Sequence, residues 1–242
     1  MTELIPNVHW LSECFELPDK HLHISVYLLE NEDGYVLVDT GSHIYSDEII
    51  AAVRSVIGDA PLETIVVSHA DLPHSGNIEP LKEEWDDPEV VAASATPEVV
   101  GLPETRRCTF DEKMLVGGRE FTFFDPPLAD VVFTSWPYDH ETGTLFTADG
   151  FGTYHEPSTC EELWTPTTPG LGRENLESYH ETTFRWLEYV DPDLLIGALE
   201  EMLDNHDISL IAPSHGNPIR AEHVDEYFEQ LSAVITDYAA TA

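Results

Sequence analysis

Residues 64–81 read TIVVSHADLPHSGNIEPL, and within six positions they set two imidazoles and a carboxylate: His69, Asp71 and His74. The run just before, ETIVVS at 63–68, is β-branched and apolar, the pattern of a buried strand. Side chains leaving such a strand enter a loop held by a rigid sheet, the usual seat of functional residues. Two more strand ends carry donors of the same kind. LFTADGFG leads to Asp149, and ISLIAPSHG leads to His215. Imidazole with carboxylate suits zinc, iron or manganese, and the clustered thiolates of a structural zinc finger are absent. Two divalent ions a few ångströms apart repel, so a pair needs a shared anion between them. Asp149 is the candidate, because a carboxylate binds through both oxygens. Alone, each residue reads as a turn former, a cap or a satisfied histidine. Their joint arrival at successive strand ends points to a metal site.

The elements that must position these residues can be read from pattern. ISVYLLE (24–30) and GYVLVD (34–39) read as strands around the turn NEDG. SDEIIAAVRSVI (46–57) reads as a helix, with Ser46 as its cap, acids in the first turn and apolar residues at helical spacing. GNIEPLKEEW (76–85) reads as a short helix, and VVAAS (90–94) as a strand followed by a helix opened by Pro97. EKMLVGGREFTFFDPP reads as a hairpin turning at Gly117-Gly118, with its aromatic run in the core. DVVFTSW and GTLFTADGF read as a second hairpin through DHET. Residues 174–204 are mostly helical, 208–216 form a strand, and AEHVDEYFEQLSAVI closes the chain as a helix with an acidic solvated face. No repeat or linker divides the 242 residues. The order predicts an α/β fold, a single four-layer αββα sandwich over residues 1–242.

Apolar residues make up 42% of the chain, enough for a core. Against 10 Lys+Arg stand 47 Asp+Glu, for a formal charge of −37. That field repels nucleic acid and anionic membranes, which excludes both as partners. The acids are spread through periodic segments, as on a folded acidic surface that high salt screens. A halophile cytosol is the expected setting. No signal peptide or membrane-length apolar run is expected. Cys14, Cys108 and Cys160 are widely spaced, with no CxxC, and read as ordinary buried thiols.

VLVDTGS, VVSHADLPHSGN, LFTADGFG and IAPSHGNPI together resemble the metallo-β-lactamase fold. They are most similar to its flavodiiron branch, whose members reduce oxygen or nitric oxide. That branch reads His-x-Glu-x-Asp-His and Ser-Gly-Asn, then a further His, Asp-x-Phe-Gly and Ser-His-Gly. The resemblance spans about residues 5 to 230. Carried over, it implies His69, Asp71, Asp130 and Asp149 on one metal, and His74, Asp149 and His215 on the other. Two positions depart. Pro73 stands where the second acid is expected and has no donor atom. SWP (135–137) stands where the third histidine is expected, and ungapped counting back from LFTADGFG puts Asp130 there instead. His140, in DHETGT, is the reserve ligand, matching the third histidine of the hydrolase branches. Asp39, in VDTG, is expected behind the ligands, holding a loop or an imidazole in place. His9, His21, His23, His43, His155, His180, His206 and His223 get no role beyond surface or local hydrogen bonding.

The resemblance implies two divalent metals, iron first, with zinc or manganese as alternatives. It implies reduction or sensing of oxygen or nitric oxide. A flavodoxin domain is not expected in a chain ending at Ala242, so electrons would come from a separate flavoprotein or iron–sulfur carrier. Flavodiiron proteins pair so that one chain's flavin serves the other's metals, which leaves a homodimer open. Two other classes compete. One is a zinc hydrolase of ester, thioester or phosphodiester bonds, favoured if His140 is a ligand. The other is a metal-poor sensory or binding module, favoured by Pro73.

Overall fold

Two mixed β-sheets stand back to back in the computed structural model, which describes residues 1–93, 105–168 and 170–239. The first sheet runs in chain order: β1 (Thr2–Ile5), β2 (Val8–Glu16), β3 (His21–Glu30), β4 (Tyr35–Val38), β5 (Leu62–Val67), β6 (Glu89–Ala92) and β7 (Thr105–Arg107). It is antiparallel as far as β4 and parallel beyond. The second sheet has the order β13 (Ile219–Arg220), β12 (Leu210–Ala212), β11 (Thr144–Phe146), β10 (Trp136–Asp139), β9 (Arg119–Phe124), β8 (Lys113–Val116), with only β11 and β12 parallel.

Strand alternation builds the layers. On β3, Val26 and Leu28 pack in the cluster that contains Ile49, Val53 and Leu81, from α1 (Ser46–Ile57) and α3 (Ile78–Glu84). Tyr27 and Leu29, pointing the other way, pack between the sheets with Phe121, Phe123 and Phe146. On the far face of the second sheet, Trp136, Leu145 and Ile211 pack with Leu176, Leu199 and Leu231. These come from α4 (Arg173–Thr183), α5 (Pro192–Asp204) and α6 (Ala221–Ala239). Helix, sheet, sheet, helix is the four-layer order the sequence predicts.

The chain departs from the sequence reading in several places. Residues 2–16 form two strands that no pattern flagged, because they carry polar residues along an edge. The second hairpin is shifted. Its first strand is WPYD and not DVVFTSW. Val132 and Phe133 are exposed in an irregular loop, Phe133 with φ 71. Pro137 argues against a central strand, yet β10 lies between β9 and β11, where pairing of residues 136–139 with 121–124 overrides local preference. Ser46 is helical and not the cap of α1. The helix expected from Pro97 lies outside the described residues.

A buried arginine, ion-paired within the second sheet, also ties that sheet to the first. Arg119 on β9 donates from Nε and Nη2 to Asp139 of β10 (3.1 and 2.6 Å) and from Nη1 to the Glu30 carbonyl on β3 (2.7 Å). Both side chains are sealed from solvent. Among the described residues, no helix is long and apolar enough to cross a membrane.

Candidate metal centre

β5 ends at Val67 and hands the chain to Ser68 and His69, both buried. The Ser135 N–H donates to the Ser68 carbonyl (2.9 Å), so the residue at the SWP position braces the ligand loop through its backbone. Asp71 precedes a single helical turn, α2 (Leu72–Ser75). Pro73 lies in the first turn, where an N–H has no helical partner to lose, and its fixed φ stiffens the turn that presents His74. The His74 carbonyl accepts from the Thr40 N–H (2.9 Å) and hydroxyl (3.0 Å). Asn77 donates its side-chain amide to the carbonyls of Thr40, Gly41 and Ser42 (2.8, 3.1 and 3.1 Å). The HSGN and DTGS segments therefore clamp each other. Gly76 is required in this clamp, since a Cβ there would lie 2.6 Å from the Leu72 carbonyl oxygen.

The loop after β11 brings Asp149 in, and the loop after β12 brings His215. Asp149 Oδ1 lies 3.3 Å from His74 Nε2, 3.4 Å from His215 Nε2 and 3.9 Å from His69 Nε2. A second group, His69, Asp71 and Asp130, has its donor atoms within 4.8 Å of one another. The six residues singled out in the sequence thus meet as two overlapping groups, with His69 common to both. His140 does not join them. It sits at the far end of β10, with Nε2 2.9 Å from the Thr122 hydroxyl and its ring against Tyr138.

Each imidazole is turned by a partner behind it. His74 Nδ1 pairs with Asp39 Oδ2 at 2.7 Å, and His215 Nδ1 donates to the His23 carbonyl at 2.6 Å. His69 Nδ1 lies 3.3 Å from the Ser68 hydroxyl. All three rings present Nε2 inward, which fixes the metal-competent nitrogen. Asp39, buried and at φ 58, accepts from the Ser68 N–H (2.8 Å) and hydroxyl (2.9 Å) and from the Ser214 hydroxyl (2.8 Å) besides His74. Ser68 and Ser214 were missed in the sequence. The signal was there: each directly precedes a candidate histidine, in SHA and SHG.

Three atoms stay orphaned. His69 Nε2, Asp130 Oδ1 and Asp149 Oδ1 are buried with no hydrogen-bond partner. Burying such atoms unpaired costs free energy, and a cation among them removes the cost. The donor set of three imidazoles and three carboxylates therefore fits divalent metal.

Electrostatics agree. Burial would raise the Asp149 carboxyl, but His215, His74 and His69 around it hold it well below its usual range. Burial and the Asp149 charge push Asp130 up to about 7. Burial and the His74 charge bring His69 down to about 3. Burial would lower His74, but Asp39 and Asp149 raise it to about 10 in the metal-free protein. Burial would raise Asp39, and His74 with the Ser68 N–H brings it below its usual value.

The Asp39–His74 pair sets a stability plateau in metal-free protein. His74's folded value is raised, so its contribution is complete below its unfolded value of 6.5 and lost as pH rises through about 10. Asp39's folded value is depressed, so its contribution is present above its unfolded value of 3.8 and lost as pH falls through the folded one. Urea unfolding of metal-free protein across this span should show both limbs, and Asp39→Asn should flatten them. A second expectation concerns Gly152, whose added Cβ would meet the His215 carbonyl and the Tyr179 ring at 2.4 Å. Gly152→Ala is expected to cost about 1–3 kcal/mol, as overpacking does, read by urea midpoint.

Of the histidines given no role, His23, His155 and His180 are fully buried, and His180 makes a local hydrogen bond to the Leu176 carbonyl (2.9 Å). Cys14 and Cys160 are joined as a disulfide and are not free thiols, a pairing across 146 residues that no local pattern signals. Cys108 is the buried free thiol among the described residues.

Known proteins share this fold. The anaerobic nitric oxide reductase flavorubredoxin of Citrobacter koseri is 27% identical over 172 residues, 64% of this chain and 35% of that protein. A flavo di-iron protein from Thermotoga maritima superposes with a TM-score of 0.77 at 20% identity, covering 94% of this chain and 58% of that one. Rubredoxin oxygen:oxidoreductase from Desulfovibrio gigas superposes with a TM-score of 0.74 at 19% identity, covering 99% and 60%. The chain thus spans about a third of that curated relative and under two thirds of these solved ones. The model of the metallo-beta-lactamase superfamily matches residues 20–193, well over half of the chain, so this chain belongs to that superfamily.

Proposed function

We propose that the site is a two-metal centre of flavodiiron type, holding iron and reducing oxygen or nitric oxide with electrons from a separate flavoprotein or iron–sulfur carrier. One observation carries the reading. Asp149 Oδ1, buried and without a hydrogen bond, lies among three inward-facing Nε2 atoms, while His69 also belongs to a second acidic group with Asp71 and Asp130. A carboxylate so placed supports the reading of a shared anion between two ions. The similarity to an anaerobic nitric oxide reductase flavorubredoxin and to flavo di-iron proteins supports the choice of chemistry.

On this reading His69, Asp71, Asp130 and Asp149 hold one ion, and His74, Asp149 and His215 the other. When bound, iron would supply the redox chemistry. The protein does the rest. Asp39 and the His23 carbonyl hold His74 and His215 in one tautomer and one orientation. Ser68 and Ser214 fix Asp39 in turn. Pro73 contributes no donor, so a second ion held by His74, Asp149 and His215 would have one protein ligand fewer. Asp130, pushed up to about 7, holds a proton at a carboxyl oxygen near neutrality before metal binds, and releases it on binding. The hydrolytic reading loses its ligand, because His140 lies at the far end of β10.

Protein isolated without oxygen should contain iron and consume oxygen or nitric oxide when supplied with a chemically reduced flavin. Zinc as the sole bound metal, or no bound ion, overturns the proposal. We further propose a salt-rich cytosol as the setting. At −37, self-repulsion should weaken as the screening length falls from ~10 Å at 0.1 M to ~3 Å at 1 M salt, and the urea midpoint should rise over that range. A midpoint indifferent to salt counts against that setting.

A further inference from the structure

A second group of donors stands apart from the candidate centre. Cys14 lies on β2 and His21 opens β3. On this antiparallel pair Cys14 faces His23 and Glu16 faces His21, which puts Cys14 and His21 diagonally on one face. His155 is brought against His21 by a two-way backbone bridge (2.9 and 3.1 Å). Cys160 comes just after the short turn Pro157–Thr159. Four contacts close the figure. Cys14 Sγ lies 3.0 Å from His21 Nδ1 and 3.3 Å from His155 Nε2; Cys160 Sγ lies 3.3 Å from His155 Nε2 and 3.5 Å from His21 Nδ1.

We propose that Cys14, His21, His155 and Cys160 are a Cys2His2 site for zinc that forms when the Cys14–Cys160 disulfide is reduced. Zinc–sulfur and zinc–nitrogen bonds of about 2.3 and 2.0–2.1 Å, set tetrahedrally, give sulfur–nitrogen edges of about 3.6 Å and a sulfur–sulfur edge of about 3.8 Å. The four sulfur–nitrogen edges already lie close to that. Breaking the sulfur–sulfur bond lets the two sulfurs part to their edge. An ordinary disulfide has no need of two imidazoles, each aimed at both of its sulfurs. A thiolate zinc site needs them.

The step balances. A dithiol reductant gives two electrons and two protons to the S–S bond and becomes a disulfide itself. The two thiols that form lose their protons to solvent as zinc binds, giving a neutral Zn(Cys)2(His)2 unit. Reoxidation by a disulfide compound reverses the sequence and releases the ion. The two regions share β3. His23, whose carbonyl holds His215, stacks its ring on His155 at 3.8 Å and has Nε2 2.7 Å from the Cys160 carbonyl.

Cobalt(II) tests the site directly, because only a thiolate ligand gives a sulfur-to-cobalt charge-transfer band, and the candidate di-metal centre has no sulfur. Whole protein reduced with a phosphine should bind about one cobalt per chain with that band, displaced by zinc, and the oxidised protein should show none. The band should persist in Asp149→Asn and Cys108→Ser and vanish in Cys14→Ser and in Cys160→Ser. A wild-type measurement stands beside the variants: zinc should slow alkylation of two thiols in the reduced protein by at least ~10-fold. Reduced protein that shows no band and alkylates both thiols equally fast with and without zinc overturns the proposal, as does a band surviving in both cysteine variants.

Discussion

Asp149→Asn is expected to fold but to lose the proposed ions, with affinity for divalent metal falling by more than ~100-fold. Charge decides the outcome. Two divalent ions placed a few ångströms apart repel, and Asp149 is the anion that lies among His69, His74 and His215. Asparagine keeps the shape and one acceptor oxygen but removes the charge and the second anionic oxygen. Loss of an outer partner of a metal site typically costs ~10–100-fold in affinity. Loss of the shared ligand must exceed that, and both ions should go together. Asp39→Asn supplies the comparison. It touches no proposed ion directly, so its cost should stay within ~10–100-fold and should fall on the ion held by His74. Metal content by elemental analysis, with near-ultraviolet dichroism to show retained packing, reads both variants. If Asp149→Asn keeps both metals at wild-type affinity, the bridging role is wrong.

Arg119→Met should cost about 3–5 kcal/mol, the largest stability effect expected from a residue outside the site. The guanidinium is sealed between the sheets and binds Asp139 through two nitrogens and the Glu30 carbonyl through a third. Removing it leaves a buried carboxylate whose remaining donors are the N–H groups of Glu141 and Thr142 and the Thr142 hydroxyl. The pair as a whole is a different matter, since taking two charges from water offsets much of their attraction. The double variant Arg119→Met/Asp139→Leu should therefore recover part of the loss, and urea midpoints for the single and double variants decide it. Equal destabilisation by both would mean that the pair itself, and not the stranded charge, stabilises the fold.

Legibility in the sequence differs by length scale. The α1 helix, the β3–β4 and β8–β9 hairpins and the closing helix α6 could be read because period and turn chemistry are local. Five donors at strand ends could be picked out for the same reason, whereas Asp130 follows from counting against the family pattern. Each motif is contiguous, and a buried strand must deliver its outgoing loop to one end of the sheet. Other features have no local signature. WPYD is a strand only because β9 and β11 flank it, against the preference of Pro137. Asp39 gathers His74, Ser68 and Ser214 from segments up to 175 residues away. Cys14, His21, His155 and Cys160 come together through β2–β3 pairing, the bridge between His21 and His155 and the Cys14–Cys160 bond, so nothing in their spacing announced them. The sequence by itself determined which side chains could bind metal and that strand ends would present them. The tertiary structure decided which of them meet, that His140 stands apart, and which atoms are left buried without partners, because sheet pairing and burial act between residues that the chain keeps far apart.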